Sequence, residues 1–202
     1  MTAMKRAGAI VVGLAASLGA QAASLQGVLT ADDFATVYLS TDLVADASDL
    51  VLDKTTTWQT VQSFADVALT PGQDHYLLVS VRNSFGGMAG LIGDFSIDGS
   101  GFAFAGGGTT LSTDALAWTV NASGFGMPGT TPHVIGPNGV SPWGTISGIS
   151  SGAQFIWSDS QFAPGGEAFF VTRIAAAVPE PGTWALWTAG LALMGGLAAR
   201  RR

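Results

Sequence analysis

Short apolar runs separated by turn sequences recur along most of the chain. They lie at residues 34–40, 61–69, 75–82, 90–97, 116–120, 155–157 and 168–174. In the 90–97 run, Leu91, Phe95 and Ile97 fall on one side and Asp94 and Ser96 on the other, the period-two pattern of a half-buried antiparallel strand. No long stretch repeats apolar residues at three–four spacing. We therefore predict an all-β fold, an antiparallel β-sandwich or jelly roll.

Residues 121–152 differ from the rest because Gly, Pro, Ser and Thr are abundant and apolar residues are scattered. The composition predicts a long loop or a pair of irregular hairpins, longer than most compact domains use. Loops of this kind often carry binding residues. A poorly ordered excursion is the alternative interpretation.

The first 22 residues have the layout of a secretory signal peptide. Lys5 and Arg6 form a positive start, residues 7–20 are apolar, and Ala20-Gln21-Ala22 is a small-x-small cleavage site. An apolar stretch of 14 residues is too short to span a bilayer comfortably. We predict that a Sec-type machinery exports the chain and that the signal peptide, residues 1–22, is removed by cleavage after Ala22 or Ala23.

The C-terminal end contains a second apolar segment, which is followed by a cluster of charged residues. Residues 183–199 contain 17 residues without charge, and Arg200, Arg201 and Arg202 follow them. As a helix the segment would measure about 26 Å, the short end of what spans a bilayer core of about 30 Å. The arginines predict a cytoplasmic C-terminus. A plain single-pass tail anchor is one interpretation of this transmembrane helix.

Pro179-Glu180-Pro181, the short apolar span and the arginine cluster together resemble the PEP-CTERM sorting signal. The resemblance covers residues 178–202 and includes all three parts in order. It implies that an integral-membrane exosortase recognises Pro179, Glu180 and Pro181, with the three arginines as the membrane stop. It also implies an intermediate anchored in the inner membrane of a bacterium that exports polysaccharide, followed by delivery to the cell surface or the extracellular matrix.

The segment between the two ends, residues 23–177, is predicted to be one β-sandwich domain with a strongly acidic balance. Lys54, Arg82 and Arg173 are its only basic residues against thirteen carboxylates, a net charge of about −10. Such a domain has no electrostatic means of binding nucleic acid. The chain has no cysteine, which excludes disulfides, Cys-based metal sites and Cys nucleophiles.

The body also resembles galactose-binding-like β-sandwich modules in several segments. Residues 31–39 resemble their opening strand, 69–74 and 86–92 their later hairpin, and 155–158 with 169–173 their closing strands. These segments arrive in the same order over residues 25–175. The resemblance implies a sandwich fold, and such modules often bind carbohydrate.

Two pairs of residues are candidate binding groups. Asp32 and Asp33 could supply oxygen ligands to a structural calcium ion, although turn and strand-edge acids explain them equally well. Trp143, in the Gly/Pro-rich segment, and Trp58 could stack against a sugar ring, whereas core packing is the commoner role of tryptophan. We expect no other cofactor.

No catalytic constellation is visible in the sequence. Only two histidines are present, G-x-S-x-G does not occur, and no pair of carboxylates is marked for glycoside hydrolysis. We therefore predict that the protein is not an enzyme but a structural or adhesive component of the cell surface or of an exopolysaccharide matrix. The alternatives are a carbohydrate-binding module with a defined glycan ligand, a secreted hydrolase and a permanently membrane-bound protein.

Overall fold

The computed structural model describes residues 22–53, 57–159, 165–177 and 188–191. The regular secondary structure of these residues is almost entirely β-strand, and the exceptions are one 3-10 helix at Ala47–Asp49 and a helical turn at residues 188–191. The strands are β1 (Ala23–Asp32), β2 (Phe34–Ser40), β3 (Leu50–Leu52), β4 (Gln62–Leu69), β5 (His75–Arg82), β6 (Gly90–Asp98), β7 (Phe102–Phe104), β8 (Thr110–Ser112), β9 (Thr119–Asn121), β10 (His133–Pro137), β11 (Gln154–Trp157) and β12 (Glu167–Ala176).

Several predicted features lie outside the described residues. They are the signal peptide at 1–22, except its last residue, the Pro179-Glu180-Pro181 motif and the terminal arginines. Of the predicted span at 183–199, only the turn at 188–191 is described. Within the part of the chain that the structure describes, no helix is long and apolar enough to cross a membrane. The signal peptide and the membrane span stay predictions.

The strands form two antiparallel sheets. Sheet A has the order β10-β11-β6-β1-β4, and β8 also pairs with β6. Sheet B has the order β3-β2-β5-β12-β7, and β9 also pairs with β12. Buried side chains of both sheets meet in one apolar core, with Leu25 and Phe95 from sheet A and Val79 and Phe170 from sheet B. The all-β prediction with two antiparallel sheets is confirmed.

Strand β1 is central in sheet A, yet the sequence patterns above did not single it out. Its inward positions Leu25, Leu29 and Ala31 are fully buried, and Gly27 stands between them. Gly27 weakens the apolar alternation, which explains why the strand was missed. A single residue, Asp33, separates β1 from β2, so the chain passes from sheet A to sheet B at this point.

Most predicted strands occur close to their expected bounds, and the 34–40 and 75–82 runs match β2 and β5. The 116–120 run is an exception, because the strand begins only at Thr119. The Asp114 carboxylate accepts hydrogen bonds from the backbone N–H groups of Leu116 (2.8 Å) and Ala117 (2.9 Å), which bends the chain before the strand. Besides β1, the short strands β3, β7, β8 and β10 were not predicted.

The 121–152 segment is a packed cover over the outer faces of both sheets. Its first part places Phe125 against Tyr38 and Phe169, with ring centroids 6.1 and 5.1 Å apart, on the outer face of sheet B. Of the two alternatives predicted for this segment, a loop does not describe β10 (His133–Pro137), which pairs with β11 in an irregular antiparallel register at the edge of sheet A.

The last part of this segment forms a second, smaller core on the outer face of sheet A. Its buried members are Ile92, Trp143, Ile146, Ile149, Ala153 and Phe155. Asn138 organises the loop, since its Nδ2 donates to the carbonyls of Ile146 (3.0 Å) and Ile149 (2.8 Å). Ile92 points away from the main core, because it alternates with Leu91, and this second core removes it from water.

Replacing Gly27 with alanine should destabilise the sandwich. The new Cβ would lie 2.6 Å from Cδ1 of Phe95 and 2.8 Å from Cζ of Phe64, so both rings must move. Overpacking of this kind costs about 1–3 kcal/mol, which urea unfolding would measure. Gly106→Ala is the matched control, because its Cβ would meet no atom within 4 Å. Equal unfolding free energies for the two variants would contradict the expectation.

Candidate functional site

An open groove crosses the outer face of sheet A, with a volume of about 1130 Å³. Strand register sets its floor, because residues paired across four neighbouring strands line up in rows. The first row is Ser112, Asp94, Val28 and Ser63, and the second is Thr110, Ser96 and Gln26. Gly106 and Gly108, in the turn between β7 and β8, and Leu116, 92% exposed, lie at the rim.

Asp94 is the central polar group of this groove. One carboxylate oxygen accepts hydrogen bonds from the hydroxyls of Ser112 (2.5 Å) and Ser150 (2.9 Å), and the other accepts one from the backbone N–H of Ser150 (2.6 Å). Ser150 belongs to the segment that covers the other half of sheet A. Asp94 therefore fixes both the floor of the groove and the wall beside it.

The groove is acidic and lacks a compensating cation. Its lining includes the carboxylates of Asp94 and Asp114 and, among the residues that the structure describes, no Lys or Arg. Both carboxylates accept hydrogen bonds from their own chain, Asp94 from two serines and Asp114 from two backbone N–H groups. They serve as structural acceptors in this arrangement.

The prediction that Trp143 offers an exposed stacking face is wrong. The side chain is 4% exposed, and its ring stacks on Phe155 at a centroid distance of 4.1 Å and an interplanar angle of 14°. Its Nε1–H donates to Asp32 Oδ2 at 2.8 Å. Opposite Asp32 in the sheet lies Gly90, where a Cβ would lie 3.1 Å from Cδ1 of Phe155, so the missing side chain leaves room for that ring. Trp143 is the anchor of the second core.

Trp58 is half-buried and packs against the edge of the same second core. Its backbone carbonyl accepts a hydrogen bond from the buried hydroxyl of Thr30 at 2.9 Å. The residue does not belong to the lining of the groove. Sugar stacking at Trp58 stays a prediction.

Asp32 and Asp33, the expected calcium ligands, accept hydrogen bonds from other groups of the chain in the structure. Asp32 accepts from Trp143, and Asp33 Oδ2 accepts from the backbone N–H groups of Ser84 (2.7 Å) and Phe85 (3.0 Å). No group of three or more His, Asp or Glu side chains in the described ranges is arranged to hold a metal ion. Each of the two adjacent acids fixes a separate loop, and a structural calcium ion at Asp32 and Asp33 stays a prediction.

Asp32 sits in an electrostatically unfavourable place for a carboxylate. Burial beneath Trp143 is the main cause that raises its pKa from 3.8 to about 6, and neighbouring Asp33 adds to the effect. The hydrogen bond from Trp143 acts in the opposite direction. Because desolvation outweighs this bond, the folded chain binds a proton at Asp32 more tightly than an exposed aspartate does.

The end of the sandwich is held by a cluster on its surface. Asp74 accepts hydrogen bonds from the Arg173 guanidinium, with Nε at 3.1 Å, and from the backbone N–H of Ala176 at 2.9 Å. The Arg173 hydrogen bond keeps the pKa of Asp74 below its usual value. Ala177 N–H donates to the Gly101 carbonyl at 2.7 Å. The folded domain thus retains the chain up to residue 177.

Asp32→Asn should become more stabilising as the pH rises. The raised pKa of Asp32 means that its protonation favours the folded state, and this contribution is lost as the pH rises through about 6. The amide mimics the protonated carboxyl and can still accept from Trp143. In urea unfolding between pH 4 and pH 7, the unfolding free energy of the variant minus that of the wild type should therefore increase with pH. Asp98→Asn, at an exposed carboxyl of the same sheet, controls for the loss of one charge. A decrease of this difference in unfolding free energy between pH 4 and pH 7 would contradict the prediction.

Trp143→Ala should cost about 3–5 kcal/mol of unfolding free energy, as for other large buried aromatic residues. Trp143→Phe keeps most of the stacking but removes the donor to Asp32, so we expect a smaller loss of about 1–3 kcal/mol. The double variant Trp143→Phe, Asp32→Asn should lose less unfolding free energy than the sum of the changes in the two single variants. Strict additivity would indicate that the hydrogen bond does not couple the two residues.

Comparison with known proteins yields one match. Residues 177–202 match the family model described as the PEP-CTERM protein-sorting motif. No curated protein and no solved structure matches the chain. The resemblance of the body to galactose-binding-like modules is therefore supported only by the sequence segments that carry it.

The matched residues begin at Ala177, whose N–H donates to the Gly101 carbonyl directly after β12, the last strand among the described residues. The motif implies export, a membrane-anchored intermediate, and exosortase as the processing partner. The chain is thus an exported protein with an acidic β-sandwich body and a PEP-CTERM protein-sorting motif at residues 177–202.

Proposed function

We propose that this protein is a non-catalytic structural or adhesive component of the cell surface or of an exopolysaccharide matrix. The observation that carries the proposal is the direct junction between a sorting motif and a folded domain with a broad polar groove. A domain delivered to the surface by such a signal contacts the other components of the cell surface. An open groove suits contact with a polymer better than it suits enclosure of a small reactant.

The state of the groove carboxylates supports a binding role over a hydrolytic one. A glycosidase needs one carboxyl as an acid and a second as a base or nucleophile, both facing the sugar. Here Asp94 and Asp114 accept hydrogen bonds from serines and from the backbone of their own chain. These bonds orient the two side chains as parts of the scaffold.

Net charge bears on the kind of surface that the domain can join. At about −10, the exported part is repelled by anionic lipid and by nucleic acid. It stays soluble in the envelope and contacts its surroundings through hydrogen bonds. Uncharged polymers fit these conditions.

Replacing Pro179, Glu180 and Pro181 with alanine should stop sorting. We expect the variant to accumulate in the inner-membrane fraction with its C-terminal residues intact, and the wild type to reach the surface fraction. Fractionation and the intact mass of the recovered protein measure both. Glu167→Ala, at the chain's other glutamate, is the control.

The surface role is checked in the same cells. In a strain that makes no exopolysaccharide, the wild-type protein should move from the surface fraction into the medium. Equal retention with and without exopolysaccharide would contradict the matrix proposal and leave the sorting result unaffected.

A further inference from the structure

We propose that the groove on the outer face of sheet A binds an uncharged polysaccharide chain, laid across strands β4, β1, β6 and β8. The inference rests on the proposed function, because it assigns a ligand class and a site to that surface role. The floor spans four strands, which is about 14 Å at the usual spacing between strands. The groove is open, so a polymer could enter and leave it without threading.

The floor offers hydrogen-bonding groups that the protein does not consume. Gln26 Nε2 donates to Ser96 Oγ at 3.0 Å, which leaves Gln26 Oε1 as an acceptor and the Ser96 hydroxyl as a donor. In the part of the chain that the structure describes, the hydroxyls of Ser63 and Thr110 have no partner, and both residues are exposed. Donors and acceptors spread along two rows match the alternating hydroxyls of a sugar chain.

The charge of the groove selects against acidic polymers. Asp94 and Asp114 line it, and no described lining residue is basic. A uronate or sulfate group placed here would meet like charge and would find no cation to replace its water. A neutral chain avoids this cost, so we infer discrimination between neutral and anionic polysaccharides.

The wall beside the floor is fixed before any ligand arrives. Asp94 holds Ser112 and Ser150 through three hydrogen bonds between 2.5 and 2.9 Å. A preformed wall reduces the ordering cost of binding. Two aromatic residues of the lining, Phe95 and Phe104, are 2% exposed and give no open stacking face, and the half-buried Phe64 packs on Phe95. Affinity therefore depends on hydrogen bonds, and binding per site should be weak.

The test is affinity electrophoresis of the full chain in a detergent without a sugar headgroup. The probes are dextran, laminarin, galactomannan and hydroxyethylcellulose as neutral polymers, with alginate as the anionic one. We expect retardation by at least one neutral polymer and none by alginate. The double variant Gln26→Ala, Ser96→Ala should weaken that binding about tenfold, as expected for two lost hydrogen bonds.

The matched control is Thr36→Ala with Ser80→Ala, a polar pair that faces outward from sheet B at the same kind of cross-strand position. It should leave the binding unchanged. A second groove variant, Ser63→Arg, places a long side chain at an exposed position and should abolish binding without changing the unfolding midpoint.

Three results would overturn the inference. They are no retardation by any of the neutral polymers, equal losses for the groove pair and the control pair, and stronger retardation by alginate than by the neutral polymers. If the groove variants bind normally while the protein still depends on exopolysaccharide for surface retention, the site is wrong and the proposed function stands. If surface retention does not depend on exopolysaccharide, the proposed function is wrong whatever the groove variants bind.

Discussion

Apolar side chains on the outer face of sheet A must be covered, and this constraint shapes most of the molecule. Ile92 and Phe155 belong to central strands but pack outside the main core. The segment after β10 covers them, and the stacked, hydrogen-bonded Trp143 holds it in place. Because this cover ends near Ser150, the rest of the same face stays open as a polar groove. Cover and groove are two halves of one sheet surface.

The sequence predicted the parts of the fold that obey a simple period. Leu77, Val79 and Val81 alternate cleanly, so β5 was predicted with its correct bounds and its buried face. Strand β1 was missed because Gly27 interrupts its pattern, although contact with Phe95 and Phe64 is what requires glycine there. Strands of three residues, such as β7 and β8, are too short to show a period. Their positions are set by pairing with distant strands, which a local pattern does not contain.

The candidate site was only partly visible in the sequence. Alternation placed Asp94 and Ser96 on the outward side of their strand, and the structure extends this polar face to Gln26 and Thr110. Trp143 looked like a loop residue because its partners, Asp32 and Phe155, are 111 and 12 positions away in the chain. The sorting motif was the opposite case. Its residues are contiguous and its order is fixed, so the sequence alone was enough to identify it.

The position of β12 has a consequence for how sheet B is assembled. The last strand of the sandwich is an interior strand of sheet B, between β5 on one side and β7 and β9 on the other. Without β12, β5 with its neighbours β2 and β3 has no connection to β7 and β9 in sheet B. The strands that flank β12 in this sheet can therefore be joined only when residues 167–176 are present. Since those residues lead directly into the sorting motif, the strand that completes sheet B lies next to the segment that directs sorting.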